Sequence, residues 1–346
     1  MKTISRYLVL SIFVSLLLFG YSGQAQVGGM KKTYIAVWGS AVPDPILNVP
    51  ADINGSYVVD IAVGHMHALA LMSDRMTIKG WGNAVFNPIA IQNFGQVVID
   101  MSAGEGYSMA LLADGSVRFW GDPVKIPPMP VTGVVPEPGA IEAGNLHWLV
   151  QKSDTTVDEY LAGSFHTLTF PLPIVDLEAG YKFSLALLAD GSVYQWDPEL
   201  AAPTLTKKLV GVRAEKGAIA FGDDHFVALM NNPTANVVYE ESFYSGGFTG
   251  FRQPFNKQIK ELSAGTRSSL ALFRDGTFTG WGDSGFYHPP STWLNGGWFL
   301  SESVPPVWLN KARVLEVGAG VNFGVVFYTL DSPARRFSMM PNHPQG

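Results

Sequence analysis

A chain of 346 residues with 47% hydrophobic and only 15% charged residues is expected to bury a large core, which argues against intrinsic disorder. Its 37 glycines and 23 prolines fit many short strands joined by tight turns. The formal charge of −6 argues against nucleic acid as a partner, because an acidic surface repels phosphate backbones. The absence of cysteine excludes disulfides and a thiol nucleophile.

The first 25 residues have the layout of a cleavable secretory signal. Basic residues precede an apolar run from Tyr7 to Phe19, and small and polar residues follow up to Ala25. The run is short for a membrane span of about 20 residues, so cleavage is favoured over an anchor. Cleavage leaves residues 26–346 with a charge of (23 − 2) − 29 = −8. We therefore expect a secreted protein, extracellular or periplasmic in a Gram-negative bacterium, with no membrane attachment.

One pattern recurs along the rest of the chain: an apolar pair, a small residue and glycine, then a short alternating strand. The clearest copies span residues 99–121, 175–197 and 259–282. The weaker copies span residues 59–82, 141–163, 219–230 and 315–330. The seven repeat glycines are Gly64, Gly104, Gly144, Gly180, Gly222, Gly265 and Gly320. Their spacings of 40, 40, 36, 42, 43 and 55 residues suit the blades of a β-propeller.

The pairs Asp114-Gly115, Asp190-Gly191 and Asp275-Gly276 predict an antiparallel hairpin within each repeat. We interpret them as two-residue turns with positive φ at both central positions. The repeat glycine that precedes each hairpin predicts a close approach of backbones near a central channel.

These motifs resemble the repeat of the regulator of chromosome condensation family, in which an apolar-x-Ala-Gly segment leads to Asp-Gly and then to Trp-Gly. The resemblance covers most of residues 34–330. The repeat also resembles that of the secreted β-lactamase inhibitor protein II family, which shares the exported compartment and an early AVWG segment. Both resemblances imply an all-β, seven-bladed propeller with four-stranded antiparallel blades.

The segment YIAVWGS (34–40) matches the strand that ends a repeat, yet no first half precedes it. We expect it to pair with the last blade and close the propeller ring, which removes exposed strand edges. Residues 26–33 then form a short linker. Residues 331–346 form a tail, in which either 335–340 adds a strand or the chain frays.

The residues just after each repeat glycine are predicted to surround one mouth of the channel. In the inhibitor-like relatives this region forms much of the partner-binding face, and the resemblance implies the same role here. The alternative is that they are ordinary loop residues. The candidates are His65, Met66, Glu105, Asn145, Leu146, Tyr181, Lys182, Asp223, Asp224, Thr266, Arg267, Val321 and Asn322.

Two long insertions, 239–258 and 283–313, are predicted to form aromatic loops that flank the sixth blade. Rigid aromatic side chains supply much of the energy at protein and sugar interfaces. The alternative is that the rings pack against the side of the propeller as a satellite cluster. The aromatic residues are Phe243, Tyr244, Phe248, Phe251, Phe255, Phe286, Tyr287, Trp293, Trp298, Phe299 and Trp308.

The sequence predicts no catalytic residue, cofactor or metal. His65 and His67 form one pair, but no further ligand cluster appears nearby. His67 shares its repeat position with His147 and His225, where relatives carry a structural histidine. We interpret Asp223-Asp224 as a solvated turn, because adjacent strand residues point to opposite faces. No nucleophile elbow, phosphate-binding loop or dinucleotide fingerprint occurs.

Three functions remain open. The leading hypothesis is a secreted, monomeric, non-catalytic propeller that binds a protein, for example as an inhibitor of an extracellular or periplasmic enzyme. A second is carbohydrate binding, with Trp293, Trp298 or Trp308 stacking on sugars. A third, an enzyme, would need an acidic cluster that converges in the channel. Asn54-Gly55-Ser56 would be a glycosylation site in a eukaryotic source.

Overall fold

The computed structural model describes residues 31–39, 45–200, 202–223, 225–243, 249–251, 254–266, 268–282, 312–321 and 323–330. Within these ranges the chain forms antiparallel strands and one short 3-10 turn, η1 (Pro45–Leu47). The strands form seven sheets, which confirms the predicted seven-bladed all-β propeller. Four sheets have four strands, and the other three show three strands within the described ranges.

The strands follow one another blade by blade, apart from β1, which belongs to the last blade. The first half of the chain contains β1 (Thr33–Gly39), β2 (Val58–Val63), β3 (His67–Met72), β4 (Thr77–Gly82), β5 (Gln92–Asn93), β6 (Val98–Ala103), β7 (Tyr107–Leu112), β8 (Val117–Gly121), β9 (Ile141–Ala143), β10 (His147–Ser153), β11 (Thr156–Leu161) and β12 (Ser164–Thr169). The second half contains β13 (Ile174–Ala179), β14 (Ser184–Leu188), β15 (Val193–Trp196), β16 (Thr206–Leu209), β17 (Ile219–Phe221), β18 (His225–Leu229), β19 (Val238–Ser242), β20 (Thr249–Phe251), β21 (Ile259–Ala264), β22 (Ser268–Phe273), β23 (Phe278–Gly282), β24 (Arg313–Gly320) and β25 (Phe323–Thr329).

The second strand of each blade is the centre of the hydrophobic core. These strands are continuous apolar runs such as YSMALL in β7, because both of their faces are covered by neighbouring blades. Leu69, Ala110, Leu187 and Leu272 are completely buried in them. The inner strands that precede them (β2, β6, β9, β13, β17, β21 and β24) surround the central channel.

The propeller ring is closed by strands from both ends of the chain. Strand β1 pairs with β25 in an antiparallel register that runs from Thr33↔Thr329 to Gly39↔Phe323. Trp38 of β1 lies over Gly324, where any side chain would overlap its indole ring. The predicted pairing of the early AVWG segment with the last blade is confirmed.

The hairpins are present, but their predicted turn geometry was wrong. Gly115 has φ = 76°, whereas Asp114 is not among the residues with positive φ. The N–H of Gly115 donates to the carbonyl of Leu112 at 2.9 Å, and the N–H of Leu112 donates to the carbonyl of Ser116 at 2.9 Å. This is a type I turn followed by a left-handed glycine, so only the glycine needs positive φ.

The three histidines are buried and hydrogen-bonded, which confirms their structural role, and each has a serine of the following blade as its partner. The Nε2–Oγ distances are 2.9 Å for His67–Ser108, 2.6 Å for His147–Ser184 and 2.7 Å for His225–Ser269. These contacts join the first blade to the second, the third to the fourth and the fifth to the sixth.

The same blade pairs share a second hydrogen bond, donated by the tryptophan of the even-numbered blade. Trp196 Nε1 donates to Glu159 Oε1 at 2.7 Å, and Trp281 Nε1 donates to Glu240 Oε2 at 2.9 Å. In the first pair, Trp120 Nε1 donates to the carbonyl of Pro88 at 2.6 Å. Gly80 stands there in place of a glutamate, and a Cβ on it would lie 2.6 Å from the Cα of Ile89. The histidine–serine bond therefore recurs at alternate junctions, while other bonds join the blades between them; Trp148 Nε1 of the third blade, for example, donates to the carbonyl of Lys125 at 3.2 Å.

Candidate functional site

The seven repeat glycines form a closed ring at one end of the channel. A Cβ on Gly64 would lie 2.7 Å from the carbonyl oxygen of Gly104, and a Cβ on Gly320 would lie 2.8 Å from that of Gly64. Each glycine between them meets the carbonyl oxygen of the next in the same way. None of the seven has a positive φ, so glycine is required here by lack of space. The predicted close approach is confirmed, and we call this end of the propeller the glycine face.

Side chains from four blades close the channel at the glycine face. Asn145 Nδ2 lies 3.2 Å from His65 Nδ1 and donates to Asp223 Oδ1 at 3.2 Å. Thr266 Oγ1 donates to Asp223 Oδ2 at 2.7 Å. A small cavity of about 70 Å³ remains beside this network. Asp223 is therefore an ordered member of the closure rather than part of a solvated turn, which corrects the interpretation from sequence.

The other predicted mouth residues lie around this closure. Met66 and Tyr181 are 39% and 49% exposed. Lys125 Nζ contacts Glu105 Oε2 at 3.1 Å, and Lys182 Nζ lies 5.6 Å from the centre of the Phe183 ring. Asp224, Arg267 and Asn322 lie outside the described residues.

Loops that follow the third strands add apolar side chains to the glycine face, which sequence reasoning missed. The N–H groups of Val85 and Val124 donate to the side-chain oxygens of Asn83 and Asp122 at 2.8 and 3.0 Å, so both loops begin with the same turn. Val85 and Val124 are 61% and 68% exposed. The corresponding loop of the fourth blade exposes Leu200.

The first of these loops is also strained. Phe86 and Asn87 are consecutive non-glycine residues with φ of 63° and 58°. Such a conformation costs about 1 kcal/mol or more for each residue. The carbonyl of Pro88 holds the loop in place by accepting from Ser108 Oγ at 2.9 Å. In this conformation the 56% exposed ring of Phe86 lies on the glycine face, over Gly106.

The structure describes only part of the two predicted aromatic loops. Residues 239–242 and 249–251 belong to strands β19 and β20, so the prediction of one loop over 239–258 was wrong there. Phe243 packs on Phe183 and Phe221, with ring centres 5.1 and 5.8 Å apart. Most of the other candidate aromatic residues lie outside the described ranges, namely Tyr244, Phe248, Phe286, Tyr287, Trp293, Trp298, Phe299 and Trp308.

Behind the closure, the channel widens into an acidic cavity of about 700 Å³. Seven carboxyl groups from the inner strands line it: Asp60, Asp100, Glu142, Asp176, Glu178, Glu261 and Glu316. Five of them stand four residues before a repeat glycine, and Glu142 and Glu178 stand two before. Because strand side chains alternate, these positions and the glycine share the face that looks into the channel.

Several of these carboxyl groups tie neighbouring blades together. Asp100 Oδ2 accepts the N–H of Gly139 at 2.7 Å, and Asp176 Oδ2 accepts that of Gly217 at 2.8 Å. Glu178 Oε2 accepts the N–H of Phe221 at 3.3 Å. Each of the five carboxyl residues four positions before a glycine follows a one-residue irregularity in its inner strand. Such bulges re-aim side chains.

Burial is the largest influence on the pKa values of these carboxyl groups. It raises the pKa of Asp100, Asp176 and Glu261 to about 7, and backbone N–H donors oppose the rise at the two aspartates. Burial, strengthened by neighbouring carboxylates, places the pKa of Glu142 and Glu178 well above the ordinary value. The channel can therefore hold protons near neutral pH. At its wide end lie the cationic side chains Lys216, Lys260 and Arg274.

Within the part of the chain that the structure describes, no three His, Asp or Glu side chains are arranged to hold a metal ion. No helix in these ranges has the length and apolarity needed to span a membrane.

No known family profile matches the chain, and no curated protein matches it in sequence. Solved structures do match. Yeast RCC1 (Prp20) bound to Kap60 is 17% identical, with a TM-score of 0.62 over 88% of this chain and 90% of that one. Prp20p from Saccharomyces cerevisiae, characterised for its binding to Gsp1p and histones, is 16% identical, with a TM-score of 0.61 over 88% and 93%. Human WBSCR16 is 14% identical, with a TM-score of 0.64 over 87% and 100%. The chain thus has the RCC1-like seven-bladed propeller fold.

Proposed function

We propose that this chain is an exported propeller that binds another protein through its glycine face. The observation that carries the proposal is the closure of the channel by His65, Asn145, Asp223 and Thr266. The closure turns a ring of separate loops into one continuous surface. Exposed apolar side chains lie around this surface, and apolar and aromatic side chains supply much of the binding energy in protein interfaces.

The structural relatives support the class of function. Yeast RCC1 (Prp20) is seen in a complex with Kap60, and Prp20p has binding properties to Gsp1p and histones. This yeast propeller therefore binds other proteins, and the likeness in fold supports the same class of function for this chain. The acidic charge of this chain favours a protein over a nucleic acid as its own partner.

The signal-like segment at residues 1–25 supports an encounter outside the cytoplasm, in the extracellular space or the periplasm. Inhibition of an enzyme there is the form of binding that we propose, because a rigid propeller presents a preorganised surface at low entropic cost. We propose that the chain acts as a monomer and without catalysis.

The test is affinity capture from the native extracellular fluid with residues 26–346. Val85→Asp and Val124→Asp place a charge on exposed residues of the glycine face. Val97→Asp is the matched control, since Val97 is 43% exposed beside the hairpin at the opposite end of the blade. We expect one protein to be captured by the parent chain and by Val97→Asp and to be lost from the other two. Capture that survives both glycine-face substitutions would place the partner elsewhere.

The acidic channel favours a second candidate, a hydrolase. Carboxyl groups with pKa values near 7 can serve as general acids, and paired carboxyl groups hydrolyse glycosidic bonds. Glycan binding would accompany that activity. Against it, several of these carboxyl groups already accept N–H groups of adjacent blades. Hydrolysis of a glycan panel that is lost in Glu142→Gln, with unfolding free energy unchanged, would favour the enzyme; no turnover would favour the binding protein.

A further inference from the structure

The outer edges of the blades are protected in different ways. The fourth strand of a blade has unpaired N–H and C=O groups along one side, which short strands, bulges, prolines or lysines usually shield. Strands β5 and β20 have only two and three residues. The second blade has a single bridge at Val131, which follows Pro130, in place of a regular fourth strand. Strand β16 carries Lys207 and Lys208 and has an irregular register against β15. These four edges are therefore shielded against a further strand.

Strand β12, the fourth strand of the third blade, lacks these forms of protection. Its sequence SFHTLT contains no proline, glycine, lysine or acidic residue, and it pairs with β11 without a register shift. Within the described ranges it is the longest of the fourth strands and the last strand of its sheet. Ser164, Phe165, Thr167 and Thr169 are exposed along it. The third blade therefore ends in a regular and accessible strand edge.

The pairing with β11 determines which backbone groups of β12 are free. The N–H of Phe170, just after β12, donates to the carbonyl of Thr155 at 2.8 Å. Since alternate residues of an antiparallel strand bond to the same neighbour, the even-numbered residues of β12 bond to β11. The N–H and C=O groups of Phe165, Thr167 and Thr169 point away from the blade. Three donors and three acceptors at a spacing of two residues are the pattern that an added β-strand needs.

Side-chain contacts hold β12 in position without a partner. The ring of Phe165 lies 4.7 Å from that of Tyr160 between centres. Thr167 Oγ1 donates to Asp158 Oδ1 at 2.7 Å, and Leu168 is buried among residues of the fourth blade. A strand that is already ordered loses little conformational freedom when it binds.

The side chains beside this edge indicate the chemistry of the added strand. Phe165, Thr167 and Asp158 lie on the same face of the sheet, because strand side chains alternate. Phe165 is 44% exposed, so an aromatic or β-branched side chain opposite it can pack on the open part of its ring. Asp158 lies two strand spacings, about 10 Å in all, from an added strand, which is within reach of a lysine or arginine side chain.

We propose that β12 is a docking edge that takes an extended segment of another protein as a fifth strand of the third blade. The segment bonds to the backbone of Phe165, Thr167 and Thr169. It carries an aromatic or β-branched residue opposite Phe165 and a basic residue that reaches Asp158. The docking edge lies at the outer rim of the propeller, so it acts separately from the glycine face.

The experiment is hydrogen exchange of residues 26–346, measured by mass spectrometry with and without an extended peptide at about 1 mM. The probe is the acetylated and amidated peptide Lys-Val-Thr-Tyr-Thr-Val-Thr-Lys. We expect exchange of the N–H groups of Phe165, Thr167 and Thr169 to slow at least fivefold, because each becomes hydrogen-bonded. Exchange in β16 should not change, because its lysines and irregular register discourage strand addition. The same peptide with all of its internal nitrogen atoms methylated lacks the donors and should slow no amide.

Thr167→Pro removes one N–H that points away from the blade and leaves the bonds to β11 in place. Peptide-induced slowing at Phe165 and Thr169 should then fall at least fivefold. Thr167→Val is the matched control, since it keeps the N–H and loses only the hydroxyl bond to Asp158, and it should retain the slowing. Urea denaturation checks that both variants are folded; if Thr167→Pro is not, the methylated peptide alone decides.

Unchanged exchange at β12 in the parent chain would overturn the docking edge. Slowing that persists with the methylated peptide, or that is equally large in β16, would overturn it as well. Sedimentation of the parent chain tests the other occupant of this edge: a dimer that Thr167→Pro dissociates would assign β12 to a second copy of the chain instead.

Discussion

The two ends of the central channel are built from the same seven inner strands but are joined by different means. At the glycine face, backbone approaches backbone so closely that no side chain fits, and a network around Asp223 fills the mouth. In the wide part, carboxyl groups bridge the blades by accepting N–H groups. The first arrangement is sensitive to volume, and the second is sensitive to protons. Added side-chain volume should therefore act mainly at the glycine face, and a change of pH mainly in the wide part of the channel.

The largest effect is expected from a methyl group in the glycine ring. Gly222→Ala places a Cβ against the carbonyl of Gly265, a rigid backbone atom, and should lower the unfolding free energy by about 3 kcal/mol. Gly95→Ala is the control: Gly95 has φ = 65° and open space around it, so only backbone strain of about 1 kcal/mol applies. Urea denaturation measures both. Equal losses would show that space is not the constraint at Gly222.

The wide end should respond to pH. Because burial raises the pKa of Asp100, Asp176 and Glu261 to about 7, the folded chain binds more protons than the unfolded chain between pH 4 and pH 7. Their contribution is complete below the unfolded pKa and is lost as the pH rises through 7. The unfolding free energy should thus increase by about 2 kcal/mol from pH 8 to pH 6.5 for the three groups together.

Buried histidines oppose this gain at lower pH. Burial lowers the pKa of His67 and His147 to about 4, so their contribution is complete above pH 6.5 and is lost as the pH falls through 4. Urea denaturation at pH 8, 6.5 and 5.5 should therefore show a rise that continues below pH 6.5 but is smaller there than the carboxyl groups alone would give. A decrease from pH 8 to pH 6.5 would contradict the assignment of protons to the channel.

A smaller effect is expected from one hydrogen bond of the wide end. Asp176→Ala removes the acceptor of the Gly217 N–H, whereas Asp176→Asn keeps a carbonyl oxygen there and removes the charge. The alanine variant should be less stable than the asparagine variant by about 1.5 kcal/mol, measured at pH 7. Equal stability would mean that the carboxyl group does not join the fourth and fifth blades.

The smallest effect is expected at the mouth. Asp223→Ala removes the acceptor for Asn145 and Thr266, but water can reach this partly exposed network. The unfolding free energy should fall by about 1 kcal/mol, and by less in Asp223→Asn. Thermal denaturation measures both variants. A loss as large as that of Gly222→Ala would mean that the closure, rather than the glycine ring, holds this end together.

The sequence predicted the features that repeat strictly. The glycines, the structural histidines and the early AVWG strand mark backbone or packing requirements that recur in several blades, so a single chain displays them several times. The convergence of His65, Asn145 and Asp223 also followed from their place after a repeat glycine. Their mutual hydrogen bonds did not, because sequence spacing does not report which side chains meet across a channel.

The acidic cavity was missed although a signal for it was present. Asp60, Asp100, Asp176, Glu261 and Glu316 all stand four residues before a repeat glycine. These polar residues stand between the apolar and glycine positions that mark the repeat, and strand alternation places them on the face that lines the channel. The positive φ of Phe86 and Asn87 could not be predicted from the sequence, because contacts from elsewhere in the chain hold these non-glycine residues in that conformation. The turn type predicted from the aspartate–glycine pairs was wrong because the same pair also suits a type I turn followed by a left-handed glycine.

The histidine–serine bonds at alternate junctions bear on where the chain could be cut and rejoined. A circular permutant whose new ends fall between the second and third blades would keep all three bonded pairs intact, whereas ends placed between the third and fourth would separate His147 from Ser184 in the chain order. The odd blade number leaves the seventh blade, assembled from strands near both ends of the chain, outside these three pairs. A two-blade period in the histidine–serine bonds thus overlies the one-blade period of the glycine ring, and the seventh blade is the clasp that closes the ring.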